Sequence, residues 1–258
     1  MTRPSAGLFP ALLASAALLS ACGQPVVTPP LVDPPVPVVA TTSAPPTHAS
    51  VPVAPDEALI ERTWQSVVRV NGLGCIASQV GSGFVVSTNL VVTSAHVIAG
   101  LDAPEVTVGE VTSVASVVAF DPVSDLALLE VDIDLPRPLA LDAGAEGQMV
   151  AVLAYSDKGE RETDIARIIR PVRAVGDDIY GEPGGGRNAL EIEAVVNSGN
   201  SGGPVVDVNG AVVGVLFSRT RGGVKVAYAV QASEIKPLLA SARNAGLVAV
   251  DPGDCRAR

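Results

Sequence analysis

The chain has 258 residues, 17 Lys and Arg against 27 Asp and Glu, a formal charge of −10, and a hydrophobic share of 48%. That composition accommodates one domain of about 200 residues with tails and excludes wholesale disorder. An acidic balance with no Lys/Arg run excludes an electrostatic nucleic-acid binder, because neutralising phosphates needs a basic face. Three Cys and two His, without Cys-x-x-Cys or His-Glu-x-x-His spacing, give no metal site to expect.

The first element is a targeting segment, expected over residues 1–21. Arg3 supplies a minimal positive start, Leu8 to Leu19 is apolar but short for a bilayer span, and the small residues Ser20 and Ala21 follow. The run Leu19-Ser20-Ala21-Cys22 resembles the lipobox of bacterial lipoproteins, in which cleavage before the Cys leaves a thiol that carries a diacylglycerol. Lipid at Cys22 anchors a protein to a membrane without spanning it; an ordinary secretory leader with an incidental Cys is the competing reading. Residues 22–55 follow as a tether. Ten prolines lie between Gly23 and Pro55 with no pattern that could bury a face, so an extended spacer of roughly 3.1 Å per residue is expected. His48, inside it, reads as a solvated linker residue.

From Asp56 onward short β-branched runs are broken by Gly, Asn and Asp. Strands are expected at Ser66 to Val70, Gly83 to Ser87, Leu90 to Thr93, Val114 to Phe120, Leu126 to Val131 and Val150 to Tyr155. The second half adds Ile165 to Val175, Ala189 to Ala194, Val205 to Val208, Ala211 to Phe217 and Val224 to Val230. About eleven or twelve strands at this spacing suggest barrels or a sandwich. Asn209-Gly210 between two apolar runs predicts a hairpin with a two-residue turn. Near the end, Ser233 caps a helix over Glu234 to Asn244, and Gly246 stops it.

Three segments carry chemistry. Val91 to His96 is a strand running into a turn that presents an imidazole. Asp121 to Leu129 places an acid just before a buried strand; Asp125, adjoining that strand, is preferred to Asp121. Gly199-Asn200-Ser201-Gly202-Gly203-Pro204 presents a hydroxyl in a loop whose glycines permit unusual dihedrals. A serine hydroxyl needs a neighbouring base at neutral pH, and the base needs an acid to fix its tautomer. Chain order His96, Asp125, Ser201 supplies all three. It argues against the nucleophile-elbow order, since no His follows Ser201, and against the subtilisin order, since the only Asp residues ahead of His96, Asp33 and Asp56, lie in or beside the tether. The amides of Gly199 and Ser201 can converge as an oxyanion hole, where one donor contributes about 3 to 4 kcal/mol to the transition state.

The segments Thr93-Ser94-Ala95-His96, Ser124-Asp125-Leu126-Ala127-Leu128-Leu129 and Gly199 to Pro204 resemble those of chymotrypsin-fold serine proteases. They are similar especially to HtrA-type enzymes and, more closely, to MarP-type periplasmic protease domains, over about Asp56 to Cys255. The resemblance implies an all-β domain at 56–258 of two six-stranded antiparallel barrels with a C-terminal helix, the first barrel supplying His96 and Asp125 and the second Ser201. It implies a cofactor-free endopeptidase acting on proteins or peptides. A protease-fold binding or chaperone module with weak or conditional catalysis is the alternative. Asn200 stands where zymogen-activated relatives keep an acid, so activation by a buried amine–carboxylate pair is not expected. No PDZ-like sequence follows Ala245 and no multi-helix membrane segment precedes the domain, so the lipid tether is the expected anchor.

If Cys22 is lipidated, Cys75 and Cys255 remain, and an exported location permits a disulfide between them; MarP-type domains look similarly stapled. By the family pattern the specificity pocket is lined by Val195, Val196, Asn197 and Ser198, by Phe217, Ser218 and Arg219, and by Val226 to Tyr228. Val195 stands where an acid would select basic side chains, which implies cleavage after small or medium apolar residues. The edge at Ser218 is expected to pair with substrate main chain, and Gly181 to Gly186 reads as a mobile loop beside the cleft.

Overall fold

The computed structural model describes residues 53–256 apart from 75–76 and 220–224, and describes no side chain at 218–219. The expected leader, the tether up to residue 52 with Cys22 and His48, and Cys75 lie outside the described residues, as does the Ser218 side chain. Among the described residues no helix is long and apolar enough to cross a membrane.

The strands form two closed antiparallel barrels of six. The first contains β1 (Val67–Leu73), β2 (Ser78–Val85), β3 (Leu90–Thr93), β4 (Glu105–Val108), β5 (Val111–Asp121) and β6 (Leu126–Val131), in the order β1-β2-β3-β6-β5-β4. Pairing of β1 with β4 closes it. The second contains β7 (Met149–Tyr155), β8 (Arg161–Asp177), β9 (Pro183–Glu193), β10 (Pro204–Val206), β11 (Val212–Arg219) and β12 (Ala227–Gln231), in the order β10-β11-β12-β9-β8-β7. It closes between β10 and β7. Three helices accompany them: α1 (Glu57–Trp64), the single turn α2 (Ala95–Ile98) and α3 (Ala232–Asn244).

Strand alternation explains how the barrels meet. Side chains two apart on a strand share a face. On β6, Ala127, Leu129 and Val131 fill the first barrel, while Leu126 and Leu128 point into the cluster at the seam. On β7, Val150 and Val152 fill the second barrel, while Ala151 and Leu153 join that same seam. Strands buried on both faces read as unbroken apolar runs, which is why β6 falls at the expected boundaries and β7 within one residue of them. Each fully buried Leu at the seam contributes about 1.5–3 kcal/mol of transfer free energy, so the cleft rests on a joint as apolar as the barrel interiors.

Several elements depart from the sequence expectations. Helix α1 was not anticipated, although Asp56 caps it by accepting from Leu59 N at 2.7 Å. Strand β4 was missed because only four residues, Glu105–Val108, follow Pro104. Helix α3 starts at Ala232 with Gln231 as its cap, because β12 runs directly into it, so Ser233 is not the cap. The Asn209-Gly210 hairpin exists with a different turn: Gly210 N bonds Asp207 O at 3.0 Å and Gly210 alone has positive φ, 77°. This is a three-residue loop ending in a left-handed glycine.

The largest correction concerns Gly181 to Gly186. Residues 183–186 belong to strand β9 and pair with the far end of β8, Asp177 opposite Pro183 and Gly176 opposite Gly184. The long β8–β9 ribbon carries its tip to the β5–β6 turn, where Ile179 N bonds Pro122 O at 3.2 Å and Arg187 Nη1 bonds Val123 O at 2.6 Å. The ribbon buttresses the turn that holds Asp125.

The C-terminal tail then crosses the first barrel. Val250 N bonds Val117 O at 2.7 Å, Arg256 Nε bonds Ile179 O at 2.9 Å, and Cys255 packs on Gly100. Burial pushes the Tyr180 phenol above its ordinary value of 10.0, and Asp254, Asp178 and Asp251 add to the shift while Arg256 opposes it. A raised folded-state value makes the associated stability fully present below pH 10 and lost as pH rises beyond it. Tyr180→Phe is therefore expected to flatten the alkaline fall in unfolding free energy, as read by denaturant melts from pH 9 to 11; an unchanged fall refutes the assignment.

Candidate active site

Strand β3 ends at Thr93 and turns into α2, which presents His96. Thr93 Oγ1 donates to Ser82 O at 2.7 Å and Ser94 Oγ to Leu216 O at 3.1 Å, so the corner is tied to both barrels. The imidazole side chain is 18% exposed and the Asp125 side chain 5%. His96 Nδ1 lies 2.7 Å from Asp125 Oδ2, and the His96 backbone N–H donates to Asp125 Oδ1 at 2.9 Å. One carboxylate thus holds both the ring and the backbone of a single residue. Ala95 N adds a bond to Asp125 O at 3.2 Å.

Geometry separates the two candidate acids. Asp121 Oδ1 accepts from Val123 N at 2.9 Å and Ser124 N at 3.2 Å, and the Ser124 hydroxyl donates to Asp121 Oδ2. Asp121 folds the turn, as short carboxylates do when they bond the backbone two or three residues on. Asp125, at φ 58°, is the residue aimed at the imidazole.

The loop before β10 is fixed by a complete set of carbonyl partners. Asn197 O accepts from Asn200 N at 3.3 Å, Ser198 O from Asp157 N at 2.9 Å, Asn200 O from Gly203 N at 3.0 Å and Ser201 O from Ser82 N at 2.7 Å. Gly199 O accepts from the Ser82 hydroxyl at 2.9 Å. Among the described residues, the amides of Gly199 and Ser201 donate no bond. Every carbonyl that could turn inward is spent elsewhere, and the two amides stay available.

Gly199 is the third residue of this turn, with φ +92°. That is the left-handed position of a type II turn, which puts the central peptide in the reverse sense to a type I turn. A Cβ there would also collide with the backbone of Ser156 and Asp157. Only glycine satisfies both conditions.

Ser82 was missed by the sequence reading, which started its strand at Gly83. It is fully buried. Its hydroxyl donates to Gly199 O, accepts from Tyr155 N at 2.8 Å, and so pins the loop and the second barrel to the first. Among the described residues the Ser201 hydroxyl makes no hydrogen bond to His96; catalytic contacts of this kind commonly tighten only when substrate arrives.

The residues expected to line the specificity pocket are dispersed. Val196 is buried in the second barrel core. Val195, 49% exposed, lines a cavity of about 290 Å³ with Glu162, Asp164, Asn197 and Asn200. Phe217 lines another, of about 190 Å³, with His96, Asp125, Asp178, Arg187 and Arg256. Ser198 is exposed, and Tyr228 lies with its ring centroid 6.4 Å from that of Phe217. The Arg187 guanidinium stacks on Phe217 at 4.4 Å.

Two antiparallel barrels, a carboxylate-held imidazole at the seam and a glycine-flanked serine loop docked on it define a trypsin-like peptidase domain. The profile of that family matches residues 81–215, and the chain belongs to it. It is 36% identical over 235 residues to serine protease Rv3671c of Mycobacterium tuberculosis strain H37Rv, a match covering 87% of this chain and 56% of that protein. A probable periplasmic DegP-like serine endoprotease of Bartonella henselae is 33% identical over 178 residues, covering 65% of this chain and 34% of that protein. The crystal structure of the Rv3671c protease in its active form superposes with a TM-score of 0.72 at 34% identity, covering 83% of this chain and 99% of that one. The chain thus spans little more than half the length of the Rv3671c relative.

Proposed function

We propose that this chain is a serine endopeptidase of the cell envelope, with Ser201 as nucleophile, His96 as general base and acid, and Asp125 as the group that orients His96. Ser201 Oγ attacks the peptide carbonyl carbon as its proton passes to His96 Nε2. Asp125 holds the Nδ1–H and stabilises the imidazolium. The carbonyl oxygen, now an oxyanion, takes hydrogen bonds from the Gly199 and Ser201 amides. His96 returns the proton to the leaving amine, and water hydrolyses the acyl-enzyme by the same path. The observation that carries the reading is the loop from Asn197 to Ser201, whose carbonyls are all engaged while two amides beside the nucleophile are not.

Cleavage after small or medium apolar residues belongs to the same proposal. Val195 offers no charge, and each carboxylate beside it gives one oxygen to the loop: Asp164 Oδ2 accepts from Val195 N at 2.7 Å, and Glu162 Oε2 from Asn200 and Asn197. Fluorophosphonate labelling tests the enzyme reading. Wild type should label and Ser201→Ala should not; absence of Ser201-dependent labelling across pH and redox conditions leaves the binding-module alternative.

Export, a lipid on Cys22 and a Cys75–Cys255 disulfide complete the proposal. Their support is the lipobox-like run, the periplasmic description of the DegP-like relative, and Cys255, which does not carry a free thiol. A disulfide closing so long a loop removes denatured-state entropy equivalent to about 5 kcal/mol at most. The mature protein's intact mass should start at a diacylated Cys22 and gain two hydrogens on reduction; an unmodified Cys22, or no gain, overturns the corresponding part.

A further inference from the structure

The loop that carries Gly199 and Ser201 is held from outside as well as by its own turn. Asn200, between the two, is 3% exposed. Both N–H donors of its side chain and the side-chain oxygen are engaged. Oδ1 accepts from Asn197 N at 2.7 Å, and Nδ2 donates to Tyr155 O at 3.0 Å and to Glu162 Oε2 at 2.9 Å. The first two partners are backbone groups whose donor and acceptor character cannot be exchanged, so they fix which end of the amide faces which way. The remaining Nδ2 hydrogen then requires an acceptor, and Glu162 supplies it. The same oxygen also takes Asn197 Nδ2 at 3.1 Å. Glu162 therefore bridges the side chains of the first residue of the turn and of the residue that closes it.

Strand β8 sets this up. Glu162 and Asp164 are two apart and share a face, and Asp164 Oδ2 accepts from Val195 N while Glu162 receives Asn197 and Asn200. The strand acts as an acceptor rail along the segment from Val195 to Asn200. Asn200 carries no charge, so this support needs no buried cation opposite it. If the Glu162 acceptor is lost, an amide hydrogen in a site almost closed to water has no partner. The cheapest relief is rotation of the Asn200 side chain, which releases Asn197 N and loosens the turn that keeps the Gly199 amide directed at the oxyanion.

We propose that Glu162 is a positioning residue that keeps the oxyanion loop in its working form, acting as a hydrogen-bond acceptor for Asn200 and Asn197. It touches no substrate and acts only through the loop. The inference rests on the triad reading above, and the two can fail separately.

The test uses the mature chain with Glu162→Gln, Glu162→Ala and Glu162→Lys, a chromogenic peptide substrate, and a peptide aldehyde whose hemiacetal with Ser201 places an oxygen in the oxyanion position. Gln keeps an acceptor, Ala removes it, and Lys sets a donor against two donors. Lys and Ala should lower kcat by about tenfold or more, approaching the 10²–10³ of a lost oxyanion donor. KM should change by less than about threefold, and aldehyde affinity should fall in parallel with kcat. Gln should stay within about threefold of wild type.

Rates are referred to folded enzyme, and a swap keeps the test decisive should Lys or Ala fail to fold. Asn200→Asp puts three acceptors together and should lower kcat; adding Glu162→Gln returns a donor and should restore part of it, an interaction a double-mutant cycle reads directly. Wild-type kcat in the Ala or Lys variant, a loss with Gln as large as with Ala, or no coupling in the cycle overturns the proposal. Such results with Ser201-dependent labelling intact leave the enzyme reading standing; loss of labelling in wild type sinks that reading instead.

Discussion

Asp125→Asn is expected to keep the fold and to lower kcat at neutral pH by about 10⁴-fold, the size of effect known for an orienting acid whose replacement reverses the histidine tautomer. The backbone accepts the change: Asp125 has φ 58°, a region that Asn tolerates better than other non-glycine residues. The chemistry does not. Asp125 accepts twice, from the His96 backbone N–H and from Nδ1. An Asn there has one acceptor, and the backbone amide, which can only donate, claims it. The Asn NH₂ is then left against Nδ1, which must accept, and the ring proton moves to Nε2, where a base needs a lone pair. Melting temperature and kcat measured on the same preparation check the prediction. A large loss of stability would make Asp125 structural, and a fall of less than about tenfold in kcat would remove its orienting role.

The sequence was most informative where candidate chemistry and local pattern coincide. His96 follows a four-residue buried strand, Asp125 precedes a strand buried on both faces, and Ser201 lies among glycines; each signal is confined to a few neighbouring residues. Choosing Asp125 over Asp121 was also a local inference, and the Asx turn closed by Asp121 explains why both acids occur there.

What stayed hidden is non-local. Ser82 reaches Gly199 across 117 positions and Tyr155 across 73, and no period or motif encodes such a bond. The one trace is small residues on either side of it: a Cβ on Gly81 would sit 3.0 Å from Ser201 O, the mark of a close backbone approach. Glu162 lay before the strand expected from Ile165, and nothing local marked it. Gly181 to Gly186 misled because glycines and a proline suggest an independent loop, whereas pairing with β8 and docking on Pro122 and Val123 supply the order. The specificity residues were placed by analogy in chain order, and Val195 and Phe217 line different cavities.

Gly199→Ala is expected to lower kcat by at least about 10²–10³, the loss that follows removal of one oxyanion donor, while leaving the His96–Asp125 pair intact. Two independent constraints meet at this position. At φ +92° an alanine is strained wherever it sits, by roughly 1–3 kcal/mol. Its Cβ would also overlap backbone atoms of Ser156 and Asp157, and Asp157 N is the donor that holds Ser198 O. Both are relieved by one movement, reversal of the Ser198–Gly199 peptide. That movement breaks the Asp157–Ser198 bond, swings the Ser198 carbonyl toward the space meant for the oxyanion, and turns the amide of residue 199 away. The enzyme would then oppose a developing negative charge with an oxygen where it should offer an N–H. The change is confined to this turn, so KM should move far less than kcat, and a peptide aldehyde should lose affinity while a product peptide keeps its own. Equal losses for the aldehyde and the product would mean that the substitution had damaged the cleft as a whole, and that the turn at Gly199 does not set the oxyanion geometry.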